Sequence, residues 1–230
     1  MAQQNQTCYM CIATKASVEH VPPKGLFPET KDLPVGVDLR KELITVPSCD
    51  IHNSAKSRDD EYLMYALVFG IQNNPTAGAQ VKTKIVRALT RNAGVAKLMT
   101  QNHIPVQVED ITTGVRQETI ALKVDMKRVG QAFDHIGRAL HFHYYQSKWM
   151  GSLQSIPLFM LAIGDESSQE HNAALVSLGN NMEALLFDEP ANGENPEVFT
   201  YKVIRAMPHI PVAMLLTFYE ESKVVLLFRN

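Results

Sequence analysis

The stretch that decides the reading is Cys8-Tyr9-Met10-Cys11, then Glu19-His20-Val21-Pro22-Pro23, then Leu43-Ile44-Thr45-Val46-Pro47 running into Cys49-Asp50-Ile51-His52-Asn53. Cys8 and Cys11 form a C-x-x-C pair, and Cys49 opens a C-x-x-H with His52. Two soft ligands at this spacing can face one ion from a tight turn. A second pair completes four-coordinate, Cys3His zinc. The 37-residue interval between the pairs must then fold back on itself. The alternative is three buried free cysteines and a surface histidine, since buried cysteine is common. Two x-x spacings within 52 residues count against it.

Glu19 beside His20 joins a hard carboxylate ligand to an imidazole that can take a proton near neutral pH. Pro22 and Pro23 cannot extend a helix, so Glu19-His20 reads as a strand end turning into a loop. Leu43–Pro47 reads as a short strand entering the second knuckle. Asp59, Asp60 and Glu61, followed by Tyr62, Leu63, Tyr65, Ala66 and Phe69, predict a helix starting near residues 52–57.

Taken together, this order resembles the HNH endonucleases, and within them the zinc-stabilised branch. The resemblance covers residues 8 to about 63. It implies an α+β chain with an N-terminal ββα-metal, treble-clef-like zinc unit, and a hydrolase that cleaves phosphodiester bonds in DNA. It further implies that His20 is the general base and Glu19 the adjacent metal ligand. Asn53 stands at the last motif position as a second ligand to a catalytic Mg2+ or Mn2+. Cys8, Cys11, Cys49 and His52 are then ligands of a structural Zn2+. The pattern departs from the family twice. Residues 31–50 lack the usual middle Asn, so Glu42 or a backbone group must hold His20, and Glu19 stands where Asp is commoner. The chemistry is coherent on its own terms. A divalent ion on Glu19 and Asn53 offsets charge at the phosphate and the leaving oxygen, and His20 near its free pKa of roughly 6.5 accepts the proton. Lys56, one turn beyond Asn53, is expected to touch phosphate as a point charge or to lie solvated.

Beyond residue 63 no acidic residue occurs from Tyr62 to Val108, against five basic ones: Lys82, Lys84, Arg87, Arg91 and Lys97. The run from Val81 to Thr100 reads largely as helix, with Lys84, Arg87 and Arg91 on one face. Such a face suits a DNA backbone track, against the plainer alternative of a solvated face. A helix is expected over 124–146, on which His135, His141 and His143 suit packing better than metal binding. Later come a short strand at Pro157–Leu161, a helical patch at Ala173–Leu178 and a strand at Phe199–Ile204. A hairpin is expected between Val212–Tyr219 and Lys223–Phe228, and an acidic loop over 188–196. No nucleotide-binding glycine loop is present. The expected division is a nuclease unit, 1–63, and a mixed α+β module, 64–230, for DNA contact, dimerisation or regulation.

The remaining composition bounds the partners. At 45% hydrophobic and 20% charged, the 230 residues suit a folded domain with its own core. Lys and Arg total 22 against 24 Asp and Glu, so the chain is not a polybasic nucleic-acid binder overall. No apolar run of membrane-spanning length occurs, and the N-terminus lacks the pattern of an export signal. With three cysteines and no such signal, a reducing, cytoplasmic setting without membrane contact is expected. A single site of that kind cuts one strand, so the resemblance implies a nickase or a homodimer. Two rivals stand beside the enzyme: a zinc-knuckle module that binds nucleic acid or protein without cutting, and a nuclease subunit held by a regulatory protein partner in a microbial defence complex.

Overall fold

The computed structural model describes residues 7–54, 56–70, 73–91, 103–109, 113–164, 166–207 and 210–229. Strand β1, Ser17–His20, pairs antiparallel with β2, Thr45–Ser48, placing Glu19 opposite Val46 and His20 opposite Thr45. The intervening loop makes two 3-10 turns, Lys24–Leu26 and Thr30–Asp32. Two helices follow, α1 (Asp50–Ser54) and α2 (Ser57–Val68). Asp59 and Asp60 sit in the first turn of α2, where they complement the helix dipole. Its apolar residues Leu63, Met64, Leu67 and Val68 are buried.

Helix α3, Pro75–Gln80, is capped by the Asn74 side chain, which accepts from Ala77 N at 3.2 Å. The Asn-, Pro- and Gly-bearing stretch over 73–78 is thus a helix start, with Pro75 in the first turn where its missing N–H costs nothing. The helix continues through a π turn, Val81–Ile85, into α4, Val86–Arg91. The rest of the expected basic helix, with Lys97, lies outside the described residues. Strands β3 (His103–Glu109) and β4 (Arg116–Leu122) form a largely exposed two-stranded ribbon.

Helix α5, Met126–Tyr145, matches the periodicity read over 124–146 and packs on α2. Next come β5 (Ser152–Pro157), helix α6 (Glu166–Leu185), β6 (Asn192–Asn195), β7 (Phe199–Met207), β8 (Ile210–Phe218) and β9 (Ser222–Arg229). They build an antiparallel sheet in the order β5-β9-β8-β7-β6. The expected strand at Pro157–Leu161 falls instead on Ser152–Pro157, because that segment finds a partner in β9. The acidic loop over 188–196 contains the edge strand β6.

Alternation along β8 and β9 explains their uninterrupted apolar runs. Val212, Met214, Leu216 and Phe218 join Val224, Leu226 and Phe228 in the main core beneath α5. Ala213, Leu215 and Val225 face the other way, with Met182 and Leu186 at the α6 side. A sheet covered on both faces needs apolar residues at successive positions. The architecture is therefore helix, sheet, helix, consistent with the α+β expectation. The main core runs from Cys8 to Phe228 as one buried cluster, and the boundary expected at residue 63 falls inside α2.

Candidate metal centre and adjoining cleft

The first knuckle is a tight turn closed by Cys8 N donating to Ala13 O at 2.9 Å and by a Thr7–Thr14 bridge. Tyr9 N donates to Pro47 O at 2.8 Å and Ala16 N to Ser48 O at 2.9 Å, which lock the knuckle onto β2. The second knuckle arises where β2 ends at Ser48 and α1 begins at Asp50, with Asn53 N donating to Cys49 O at 3.0 Å. The strand end supplies Cys49 and the first helical turn supplies His52.

These turns bring the four predicted ligands together. Cys11 Sγ lies 3.8 Å from Cys49 Sγ, and His52 Nδ1 lies 3.4 Å from Cys8 Sγ and 3.3 Å from Cys49 Sγ. All four ligand atoms fall within 4.8 Å of one another. Around a tetrahedral zinc, bond lengths near 2.3 Å to sulfur and 2.0–2.1 Å to nitrogen place ligand atoms roughly 3.5–3.8 Å apart. The quartet fits that geometry and can hold a metal such as zinc. Burial pushes the Cys8 thiol up, but main-chain N–H groups and His52 outweigh it and bring it down to about 6, favouring the thiolate that metals bind. His135 on α5 packs edge-on against His52, ring centres 6.4 Å apart.

Of the other predicted site residues, Glu19, His20, Asn53, Lys56 and Lys84 line one cleft of about 410 Å3 next to the clasp, together with Lys24, Asp60 and Glu61. His20 is held by the main chain of β1, opposite Thr45, and Val21 N donates to Ile44 O at 2.9 Å. The ladder fixes the main chain on both sides of His20. Burial, with the charges of Lys24 and Arg40, holds His20 below the ordinary histidine range. Asn53 Nδ2 donates to Ser17 Oγ at 2.8 Å, tying α1 to β1.

Lys56 departs from its expected surface role. Its side chain is 4% exposed, and its Nζ lies 2.7 Å from Glu19 Oε1 and 3.0 Å from Asp60 Oδ2. Tyr9 Oη also donates to Glu19 Oε1, at 3.4 Å. Among the described residues, the enclosed Glu19 Oε2 finds no hydrogen-bond partner. Burial raises the Glu19 and Asp60 carboxyls above their ordinary range, against the pull of Lys56.

The predicted basic face is also engaged. Arg87 makes a two-pronged pair with Asp32 at 2.7 and 2.6 Å, and Lys84 donates to Gly25 O at 2.5 Å; Arg91 is exposed. The balancing acid comes from the loop after β1, so the local lack of acids did not leave this face bare. Three charged cleft residues were missed from sequence, Lys24, Asp60 and Glu61, while Lys84, read as part of a basic track, lines the cleft instead. The i, i+4 spacing of Lys56 and Asp60 was a usable signal for one of them.

Neither a protein-family model, nor a curated protein, nor a solved structure matches this chain. Among the described residues, no helix is long and apolar enough to cross a membrane.

Proposed function

We propose that this chain is an HNH-type endonuclease that hydrolyses phosphodiester bonds in DNA, with His20 as general base and a structural zinc on Cys8, Cys11, Cys49 and His52. The observation that carries this reading is the placing of Glu19, His20 and Asn53 on one cleft beside the Cys3His cluster, on a strand pair followed by a helix. DNA as the substrate comes from the resemblance alone.

His20 takes a proton from water, the hydroxide oxygen bonds to phosphorus, and the bond to the 3′-oxygen breaks, with solvent returning a proton to the leaving group. Its depressed pKa keeps the imidazole neutral, as a base must be at pH 7. Lys24 and Lys84 line the same cleft and supply positive charge for the phosphate. The resemblance also implies Mg2+ or Mn2+ on Glu19 and Asn53. As folded, Glu19 does not suit it, because its Oε1 is held by Lys56; the bond of Asn53 to Ser17 uses Nδ2 and not the Oδ1 that would ligate.

That same ion pair favours a second reading, in which the zinc knuckle docks nucleic acid or protein without cutting. A supercoiled plasmid incubated with Mg2+, Mn2+ or no added ion separates the two. The endonuclease reading expects relaxed circles with the wild type and a loss of about 10²–10⁴-fold in His20→Ala. Plasmid left supercoiled under every condition assigns the chain to the docking module.

A further inference from the structure

The cleft holds a cation of its own, and it is a side chain. We infer that Lys56 is the resident cation of this cleft: its ammonium takes the place beside Glu19 that the resemblance gives to a divalent ion, and excludes such an ion from it. The inference rests on the endonuclease reading only for naming that place; the contacts stand without it.

Three observations carry it. Lys56 Nζ sits between two carboxylates, 2.7 Å from Glu19 Oε1 and 3.0 and 3.2 Å from the two oxygens of Asp60. The side chains of Lys56 and Glu19 are each 4% exposed, so water screens the pair poorly. Lys56 and Asp60 lie one turn apart at the start of α2, which fixes the ammonium against the helix rather than on a free tether.

The consequence for metal binding is electrostatic and geometric. Two carboxylates and one ammonium leave a single negative charge, and a divalent ion at Glu19 would lie against the ammonium. Among the described residues, Lys56 holds three of the four carboxylate oxygens and leaves Glu19 Oε2, so a divalent ion would draw one protein oxygen from the pair and must take the rest of its shell from water. Removing the ammonium leaves one buried and one half-buried carboxylate that repel each other and favour a cation between them.

Mn2+ binding to the zinc-loaded full chain, followed by calorimetry and by the electron spin resonance of free Mn2+, tests this without any nuclease assay. The wild type is expected to show no Mn2+ site that Glu19→Gln removes. Lys56→Met is expected to bind one Mn2+ at least about tenfold more tightly than the wild type. That gain should vanish in the double variant Lys56→Met/Glu19→Gln. A wild-type Mn2+ site abolished by Glu19→Gln overturns the inference, as does a Lys56→Met chain that binds Mn2+ no better. If Lys56→Met proves too unstable to purify, the wild type against Glu19→Gln decides alone. Failure of plasmid nicking bears on the hydrolase reading and leaves this result standing.

Discussion

His20 is a histidine whose surroundings select one protonation state. Burial, then Lys24 and Arg40, disfavour the imidazolium, so its pKa lies below the ordinary value. For a base the sign is direct: the neutral form persists to lower pH than for a free histidine, and activity is lost only as pH falls through the depressed pKa. The acid limb of plasmid nicking is therefore expected below roughly pH 6.5, the free value. An acid limb at or above that value, or a His20 titration by NMR that matches a free imidazole, removes His20 from the role. At this scale the metal ligands were legible because each pair is local, Cys8 with Cys11 and Cys49 with His52. The partners of Glu19 were not. Lys56 and Asp60 reach it only after β1 and α2 come together, and sequence spacing carries no trace of that approach. Arg87 shows the same limit, since Asp32 meets it across the loop after β1.

Helix α5 shows what an element reveals before it folds. Val129, Phe133, Ile136 and Leu140 recur at helical spacing, and all are buried. Asp125 caps the first turn, accepting from Lys127 N at 3.1 Å and Arg128 N at 3.3 Å. Asp125→Ala is expected to lower stability by about 1 kcal/mol, read as a shift of the urea midpoint with an unchanged slope. Gly137 also has a packing role in this helix: a Cβ there would lie 2.5 Å from Leu153 Cδ1, so the residue that weakens the helix locally lets it approach β5. The β8–β9 hairpin was legible from two apolar runs around Glu220-Glu221-Ser222. Its turn residues Tyr219 and Glu220 take φ of 49° and 68°, the backbone form that a tight hairpin turn demands. Strand β5 and the β3–β4 ribbon were harder to read. β5 is set by its pairing with β9, and the ribbon's exposure leaves it no apolar face to betray its period.

The clasp is built into the main core rather than appended to it. Cys8, Tyr9 and Cys49 belong to the same buried cluster as Phe133 and Phe218. Polar ties cross the boundary that the motif alone suggested at residue 63. Asp125 N donates to Tyr62 Oη at 2.7 Å, and Arg128 bonds Asp59 at 2.7 Å with its guanidinium 4.3 Å above the Tyr62 ring. Tyr219 Oη and Gln80 Nε2 both donate to Leu26 O, at 2.6 and 2.7 Å. Asn195 Nδ2 donates to Lys41 O at 2.9 Å. Metal affinity at a clasp that forms only on folding is folding free energy, on the order of 10 kcal/mol for zinc-finger peptides. Because the clasp shares its core with α5 and the sheet, that energy is coupled to the whole chain. Zinc removal by a chelator, or Cys49→Ser, is therefore expected to lower the melting temperature of the entire molecule in one transition. Calorimetry paired with elemental analysis of zinc checks it. A second transition that keeps its temperature without zinc would instead mark the far side of residue 63 as a unit that folds by itself.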